Sequence, residues 1–157
     1  ESYANSNLPQ KKIHLVILGT GEEQDKLEKK ILDLKIETKV HLLGFKENVW
    51  DYISNAKFSV LSSQYEGFPM TILESLSLGI PVISFDCESG PNEMIINNHN
   101  GILVENQNFT ELTHKMNIFV EDEILYQNCK NNSVSSVAKF QSEVVVNQWL
   151  QMLNYGN

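Results

Sequence analysis

Short apolar runs alternate along this chain with segments whose apolar residues recur every third or fourth position. The first run, Ile13-His14-Leu15-Val16-Ile17-Leu18, stops at Gly19 and predicts a buried parallel strand. After it, Thr20 and Glu23 have the spacing of a capping box, and Leu27, Ile31 and Leu34 fall on one face of a helix. A second strand is expected from Lys39 to Leu43, closed by Gly44. A short helix from Asn48 to Asn55 turns Val49, Tyr52 and Ile53 inward, and a third strand covers Phe58 to Leu61. The helix from Thr71 to Leu78 ends at Gly79, a helix-stop signal. A fourth strand follows from Pro81 to Phe85, then a short helix from Pro91 to Asn97 with proline in its first turn. The fifth strand is Gly101 to Val104, and the rest reads as helix: Phe109 to Val120, Glu123 to Ala138 and Ser142 to Leu153.

Short apolar strands separated by amphipathic helices imply a parallel sheet covered on both faces. Right-handed crossovers make that a Rossmann-like, doubly wound α/β domain spanning residues 1–157. In such sheets ligands gather at the carboxyl ends of the strands. The loops to inspect are therefore Gly19 to Glu22, Gly44 to Asn48, Ser62 to Met70 and Asp86 to Asn92.

Composition narrows the function classes. The 157 residues suit one domain, and 41% hydrophobic content is enough for a core. A net charge of -8 with no Lys/Arg block is a poor match to nucleic acid or an anionic membrane surface, although a local anion site remains open. The two cysteines, Cys87 and Cys129, have no paired spacing and are expected to be reduced thiols of a cytoplasmic protein. No apolar run reaches the length of a spanning helix, about 18 residues, and no signal peptide is expected from the pattern. The four histidines, His14, His41, His99 and His114, lack metal spacing, so no metal is expected. A polar stretch from Glu1 to Lys12 leads directly into a strand, as expected of a piece cut from a larger protein.

The third of these loops carries the chemistry. A strand delivers the chain to Ser62, Phe68 precedes proline and so disfavours helix, and a helix opens between Pro69 and Thr71. Free N–H groups at a helix start, with the positive end of its dipole, form an anion site. Gly67 lets backbone approach a ligand without a Cβ in the way. Glu66 stands before the helix and Glu74 within its first two turns. An ionised glutamate only accepts hydrogen bonds, which suits sugar or ribose hydroxyls. Acceptors on both sides of an anion site match a ligand with hydroxyls at each end and phosphates between, the layout of a nucleotide sugar.

The stretch Glu66-Gly67-Phe68-Pro69 followed by Glu74 resembles the E-x7-E signature of family 4 retaining glycosyltransferases, which have the GT-B fold. Further segments are similar in order along nearly the whole chain: Leu15 to Gly21, Val40 to Phe45, Leu78 to Ile83, Ser89 to Ile95 and Asn100 to Val104. The resemblance implies the donor-binding, C-terminal half of such an enzyme. Glu66 would bind donor-sugar hydroxyls and orient the anomeric carbon as the catalytic residue. Backbone of Gly67, Phe68, Pro69, Met70 and Thr71 would line sugar and diphosphate, and Glu74 would accept from the ribose. Gly19 would pass the phosphates, and backbone around Phe45 and Lys46 would hold the base. The family works without a metal or other cofactor and retains anomeric configuration.

The implied function is hexosyl transfer from a nucleotide diphosphate sugar, a UDP-sugar for preference, to a glycan or lipid-linked acceptor. Ser89-Gly90-Pro91-Asn92-Glu93-Met94-Ile95 is similar to a segment of bacterial capsule, exopolysaccharide and lipopolysaccharide members. The acceptor would be held by an N-terminal domain outside the chain. Peripheral contact of the full-length protein with the inner face of the cell membrane is compatible with this. One departure stands out. The family's first strand of this domain, with an Arg and a Lys for the diphosphate, would precede Glu1, so weak donor binding and no turnover are expected of the chain alone. A nicotinamide-dependent Rossmann enzyme is disfavoured because Gln24 replaces the third glycine of a G-x-G-x-x-G turn. A non-catalytic nucleotide-sugar-binding module stays open. So do blander roles: Lys46 as a solvated surface residue, Glu93 as a cap, Trp50 and Trp149 in core or interdomain packing, and the Asn108-Phe109-Thr110 sequon as chance.

Overall fold

The computed structural model describes residues 1–154. Its elements run α1 (Ser2–Asn5), β1 (Leu15–Ile17), α2 (Gln24–Asp33), β2 (Val40–Leu42), α3 (Val49–Ser54), β3 (Ser59–Leu61) and α4 (Met70–Ser77). The second half runs β4 (Val82–Asp86), α5 (Pro91–Met94), β5 (Gly101–Glu105), α6 (Phe109–Glu121), α7 (Glu123–Ser136), a 3-10 turn (Ala138–Phe140) and α8 (Ser142–Asn154). The alternation expected from the apolar pattern is present, and every strand pair is parallel. Among the described residues no helix is long and apolar enough to cross a membrane.

The strands form two ladders, β1-β2 and β3-β4-β5. In β4, Val82, Ile83, Ser84 and Phe85 are all buried, so both faces are covered. Ile83 and Phe85 join a core with Leu112, Met116 and Phe119 of α6, while Val82 packs with Ile72 and Leu76 of α4. The odd and even positions of one strand thus feed two cores, as the pleat requires. The shorter strands β1 and β3 are only half-buried, less than a buried-strand pattern predicts. The Leu15 N–H bonds Lys39 O and the Ile17 carbonyl accepts from Leu43, so both residues face β2. His14, Val16 and Leu18 therefore turn their backbone groups to the other edge. In β3 the Ser59 N–H bonds Pro81 O, which by the same parity leaves Phe58 and Val60 facing away from β4.

Helix ends explain several boundaries. Helix α4 closes with the Gly79 N–H on Leu76 O at 3.0 Å and the Ile80 N–H on Ser75 O at 2.9 Å, with Gly79 at φ 75°. This pair of bonds is the Schellman arrangement, and it needs a residue that tolerates positive φ. Asn108 and Asp122 cap α6 and α7 by accepting from the N–H groups of Glu111 and Leu125, each at 2.9 Å. The sequon asparagine is therefore a helix cap. The Thr20 and Glu23 capping box does not form: α2 starts at Gln24, and the Glu23 carboxylate takes the Lys26 ammonium at 2.7 Å instead. Of the three apolar residues on its expected inner face, Leu27 and Leu34 are exposed and only Ile31 reaches the core.

The polar opening of the chain is structured. Tyr3 and Leu8 are buried in the main core, and the Tyr3 hydroxyl donates to Ile13 O at 2.8 Å, tying the segment to the start of β1. Trp50 and Trp149 are each 61% exposed, so neither packs into the core. Cys87 and Cys129 are free and buried. Burial pushes the Cys129 thiol from 9.0 to about 11. Burial also raises Tyr3 and Tyr126. A group whose pKa is raised by folding stabilises fully below its unfolded pKa and loses that contribution up to its folded pKa. The Cys129 contribution is thus complete below pH 9 and lost between 9.0 and about 11. The urea midpoint is expected to fall across that window, and less steeply in Cys129→Ala. An identical slope in the variant would contradict the assignment.

Candidate donor-binding site

The loop after β3 reaches α4 through Pro69, which sits at φ -73° and ψ 92° and makes no side-chain cap. Its carbonyl accepts from Ile72 at 3.0 Å, so the helix begins directly behind it. Among the described residues, nothing accepts from the Met70 and Thr71 N–H groups, and both residues are exposed. A helix start in this condition offers aligned donors and a partial positive charge to an anion. Glu66 in the loop and Glu74 on α4 are both half-buried. Neither carboxylate has a hydrogen-bond or ion-pair partner among the described residues, so their acceptor capacity is unused. Glu74 follows Met70 by four residues and Thr71 by three, which puts it on the helix face those two begin. Phe68 is 45% exposed and packs edge-to-face on Phe140 of the 3-10 turn, with ring centres 5.5 Å apart.

Neighbouring loops hold this segment. Ser89 Oγ donates to the Glu66 carbonyl at 2.7 Å, and Asn106 Nδ2 donates to the Gln64 carbonyl at 3.2 Å. Gly90 lies against Pro69 and Gly67. The residue pattern marked Gly67 and Pro69 and placed Ser89 in a loop to inspect, but it gave no reason to pair Ser89 with Glu66 or to single out Asn106 or Phe140. Their contacts cross between separate loops, and only Gly90-Pro91 carries a local turn signal.

The other predicted residues form a second group. Gly19 has φ 106°, and its N–H donates to Gly44 O at 2.8 Å, binding the loops after β1 and β2 together. Beside them lies a cavity of about 220 Å³ lined by Gly19, Thr20, Gly21, Gln24, Leu27 and Gly44. Phe45 is 72% exposed and Lys46 half-buried, next in the chain after Gly44. Both groups follow the carboxyl ends of parallel strands. No hydrogen bond among the described residues joins the first group to the second.

The sequence pattern of the family described as "Glycosyl transferases group 1" matches residues 2–135. The chain belongs to that family. It is 30% identical over 139 residues to the poly(ribitol-phosphate) alpha-N-acetylglucosaminyltransferase of Staphylococcus aureus, covering 88% of this chain and 28% of that protein. It is 32% identical over 141 residues to a 4-alpha-N-acetylgalactosaminyltransferase of Campylobacter jejuni that acts on N-acetylgalactosamine-N,N'-diacetylbacillosaminyl-diphospho-undecaprenol, covering 90% and 39%. Among solved structures, TarM of S. aureus, a point mutant in complex with fondaparinux, alpha-GlcNAc-glycerol and UDP, superimposes with a TM-score of 0.84 at 29% identity. That match covers 96% of this chain and 31% of TarM. The chain thus spans well under half the length of these relatives, and its fold is that of the matching part of a GT-B glycosyltransferase.

Within this glycosyltransferase domain, the remaining conspicuous side chains are structural or unassigned. Glu93 is exposed and caps nothing with its carboxylate, while its carbonyl accepts from Lys139 at 3.0 Å. His14 Nδ1, just before β1, and His41 Nε2, in the middle of β2, lie 2.7 Å apart on stacked rings. Among the described residues no cluster of three or more His, Cys, Asp or Glu could hold a metal ion. The groups with shifted pKa values lie outside the Glu66 loop: Tyr3, Tyr126 and Cys129 are buried in the core, and Glu1 is held low by the Lys30 ammonium.

Proposed function

We propose that this domain binds a nucleotide diphosphate sugar, with UDP as the nucleotide, for retaining hexosyl transfer to a glycan or lipid-linked acceptor in bacterial surface-polysaccharide synthesis. The observation that carries the reading is the open start of α4, where, among the described residues, the Met70 and Thr71 amides lack acceptors and the Glu66 and Glu74 carboxylates lack partners. The diphosphate meets those amides, the donor sugar meets Glu66 and the backbone of Gly67 to Pro69, and the ribose meets Glu74. Gly19 passes the phosphates, and backbone at Phe45 and Lys46 holds the base. As the sugar departs, charge grows on the diphosphate, and fixed amides at a helix start stabilise it without reorganising. The UDP found in TarM, and the glycosyl transfers named for the two relatives, support the same class of donor and reaction.

The split sheet supports one more element. A parallel strand between β1 and β3 would satisfy the outward backbone groups of His14, Val16 and Leu18 on one side and of Phe58 and Val60 on the other. The loop after that strand would enter between the two site groups, where the resemblance expects an Arg and a Lys for the diphosphate. We place the intact protein in the cytoplasm, at the inner membrane face, and the free buried thiols suit that reducing compartment.

A thermal-shift panel of UDP, GDP and ADP with their glucose conjugates, run on the full-length protein beside a transfer assay, tests the reading. The largest shift is expected from a UDP compound, together with turnover. A UDP-sugar shift without transfer to any glycan or lipid-linked acceptor would favour a binding module. No shift with any nucleotide would overturn the donor site.

A further inference from the structure

We propose that Ser89 and Gly90 are positioning residues that hold Glu66 in its sugar-binding orientation; the proposal rests on the donor-site reading of Glu66. The two residues lie in the loop after β4, and β4 is the hydrogen-bonded neighbour of β3, with Leu61 level with Ser84. The two strands therefore release their loops side by side. The loop that carries Glu66 makes little structure of its own. Among the described residues, the backbone of residues 62–68 takes hydrogen bonds from only two side chains, Ser89 Oγ to the Glu66 carbonyl at 2.7 Å and Asn106 Nδ2 to the Gln64 carbonyl at 3.2 Å.

Fixing the Glu66 carbonyl fixes the peptide plane between Glu66 and Gly67. That removes one peptide plane from the motions of the loop and leaves ψ of Glu66 as the one backbone rotation between that plane and the Cα–Cβ bond, so the side chain sweeps a narrower arc than in an unbraced loop. Gly90 completes the clamp by contact. Its backbone has φ 93°, and a Cβ there would lie 2.5 Å from Pro69 Cδ and 2.8 Å from the Gly67 carbonyl oxygen. A side chain at this position would push the whole segment from Gly67 to Pro69 outward. Behind the clamp, the Cys87 thiol, 1% exposed, donates to the Ser89 carbonyl at 3.6 Å. Pro91 is buried as the first residue of α5 and limits how far Gly90 can retreat. The exposed Ser89 side chain needs no contact with donor to act, since its effect passes through the Glu66 backbone.

The test uses the full-length protein and two ligands, UDP and UDP-glucose. The ratio of their dissociation constants isolates what the sugar adds to binding. Ser89→Ala is expected to reduce that ratio about 3- to 10-fold, the range of one neutral hydrogen bond, with UDP affinity unchanged. Ser89→Thr keeps a hydroxyl and should restore the ratio. In the ligand-free protein, amide exchange at Gly67 and Phe68 should quicken in Ser89→Ala and not in Ser89→Thr. Gly90→Ala should lower the ratio further, and if it fails to fold the serine pair still decides. Three outcomes overturn the clamp: Ser89→Ala leaving both ratio and exchange unaltered while Glu66→Ala lowers the ratio, Ser89→Ala weakening UDP alone as much as UDP-glucose, or Ser89→Thr behaving like the alanine variant. If Glu66→Ala itself leaves the ratio unchanged, the reading of Glu66 fails, and exchange at Gly67 and Phe68 still reports on the brace.

Discussion

Glu66→Ala in the full-length enzyme is expected to lower kcat/KM for the sugar donor about 100- to 1,000-fold, the cost of losing one oriented polar group in a reacting site. The carboxylate is half-buried without a partner among the described residues, so it is already freed of protein contacts that would compete with sugar hydroxyls. Its removal leaves those hydroxyls unpaired and the anomeric carbon free to turn from the line of attack. Glu66→Gln keeps one carbonyl acceptor and should fall between wild type and alanine. Glu74→Gln should behave differently, raising donor KM with kcat nearly kept, because a ribose contact is made equally before and during reaction. Steady-state kinetics with melting curves check both, and the melting temperature of each variant should stay within about 2 °C of wild type, as for substitutions outside the core. A Glu66→Ala enzyme with wild-type kcat/KM would remove the role given to that residue.

Asn100→Ala is expected to have the largest effect on stability, about 3–5 kcal/mol, with the melting temperature lowered by roughly 10 °C or more. Asn100 is 0% exposed and fully bonded. Its Oδ1 accepts from the Ile96 N–H at 2.8 Å, and its Nδ2 donates to Met94 O at 2.8 Å and Ser136 Oγ at 2.7 Å. One side chain thus joins the turn after α5 to the end of α7, and alanine would break all three bonds, leave the buried Met94 carbonyl without its partner and open a cavity in the core. Gly101→Ala should act beside it by overlap, since a Cβ there would lie 2.3 Å from the Val82 carbonyl. Equilibrium urea unfolding measures both. A loss under about 1 kcal/mol for Asn100→Ala would mean that water replaces those bonds at little cost.

The strands and most helices were legible because their apolar spacing is regular and glycines or prolines punctuate them. Gly79 ends α4 where a stop was expected, and the loop carrying Glu66 and Gly67 runs from the end of β3 to Pro69, directly before α4, as its proline and glycine required. The errors have physical causes. Glu23 was read as half of a capping box, but Lys26 lies one turn on and takes its carboxylate. Leu27 and Leu34 have the spacing of a core face, yet periodicity cannot reveal that the ladder beneath them ends at β1. Tyr3 and Leu8 sit in a polar stretch too short for periodicity to register. Of the site, the acidic pair and the bare helix start were visible along the chain. The brace from Ser89, Asn106 and Phe140 was not, because those contacts join residues up to 72 positions apart on different elements.

Hydrogen–deuterium exchange of the full-length enzyme with and without UDP-sugar tests the donor site most directly. Slowed exchange is predicted in peptides spanning Gln64 to Glu74, with a second protected segment at Gly19 and from Gly44 to Lys46. Protection at saturating donor that spares residues 64–74 and appears only elsewhere would contradict the account and leave the acidic pair without a ligand.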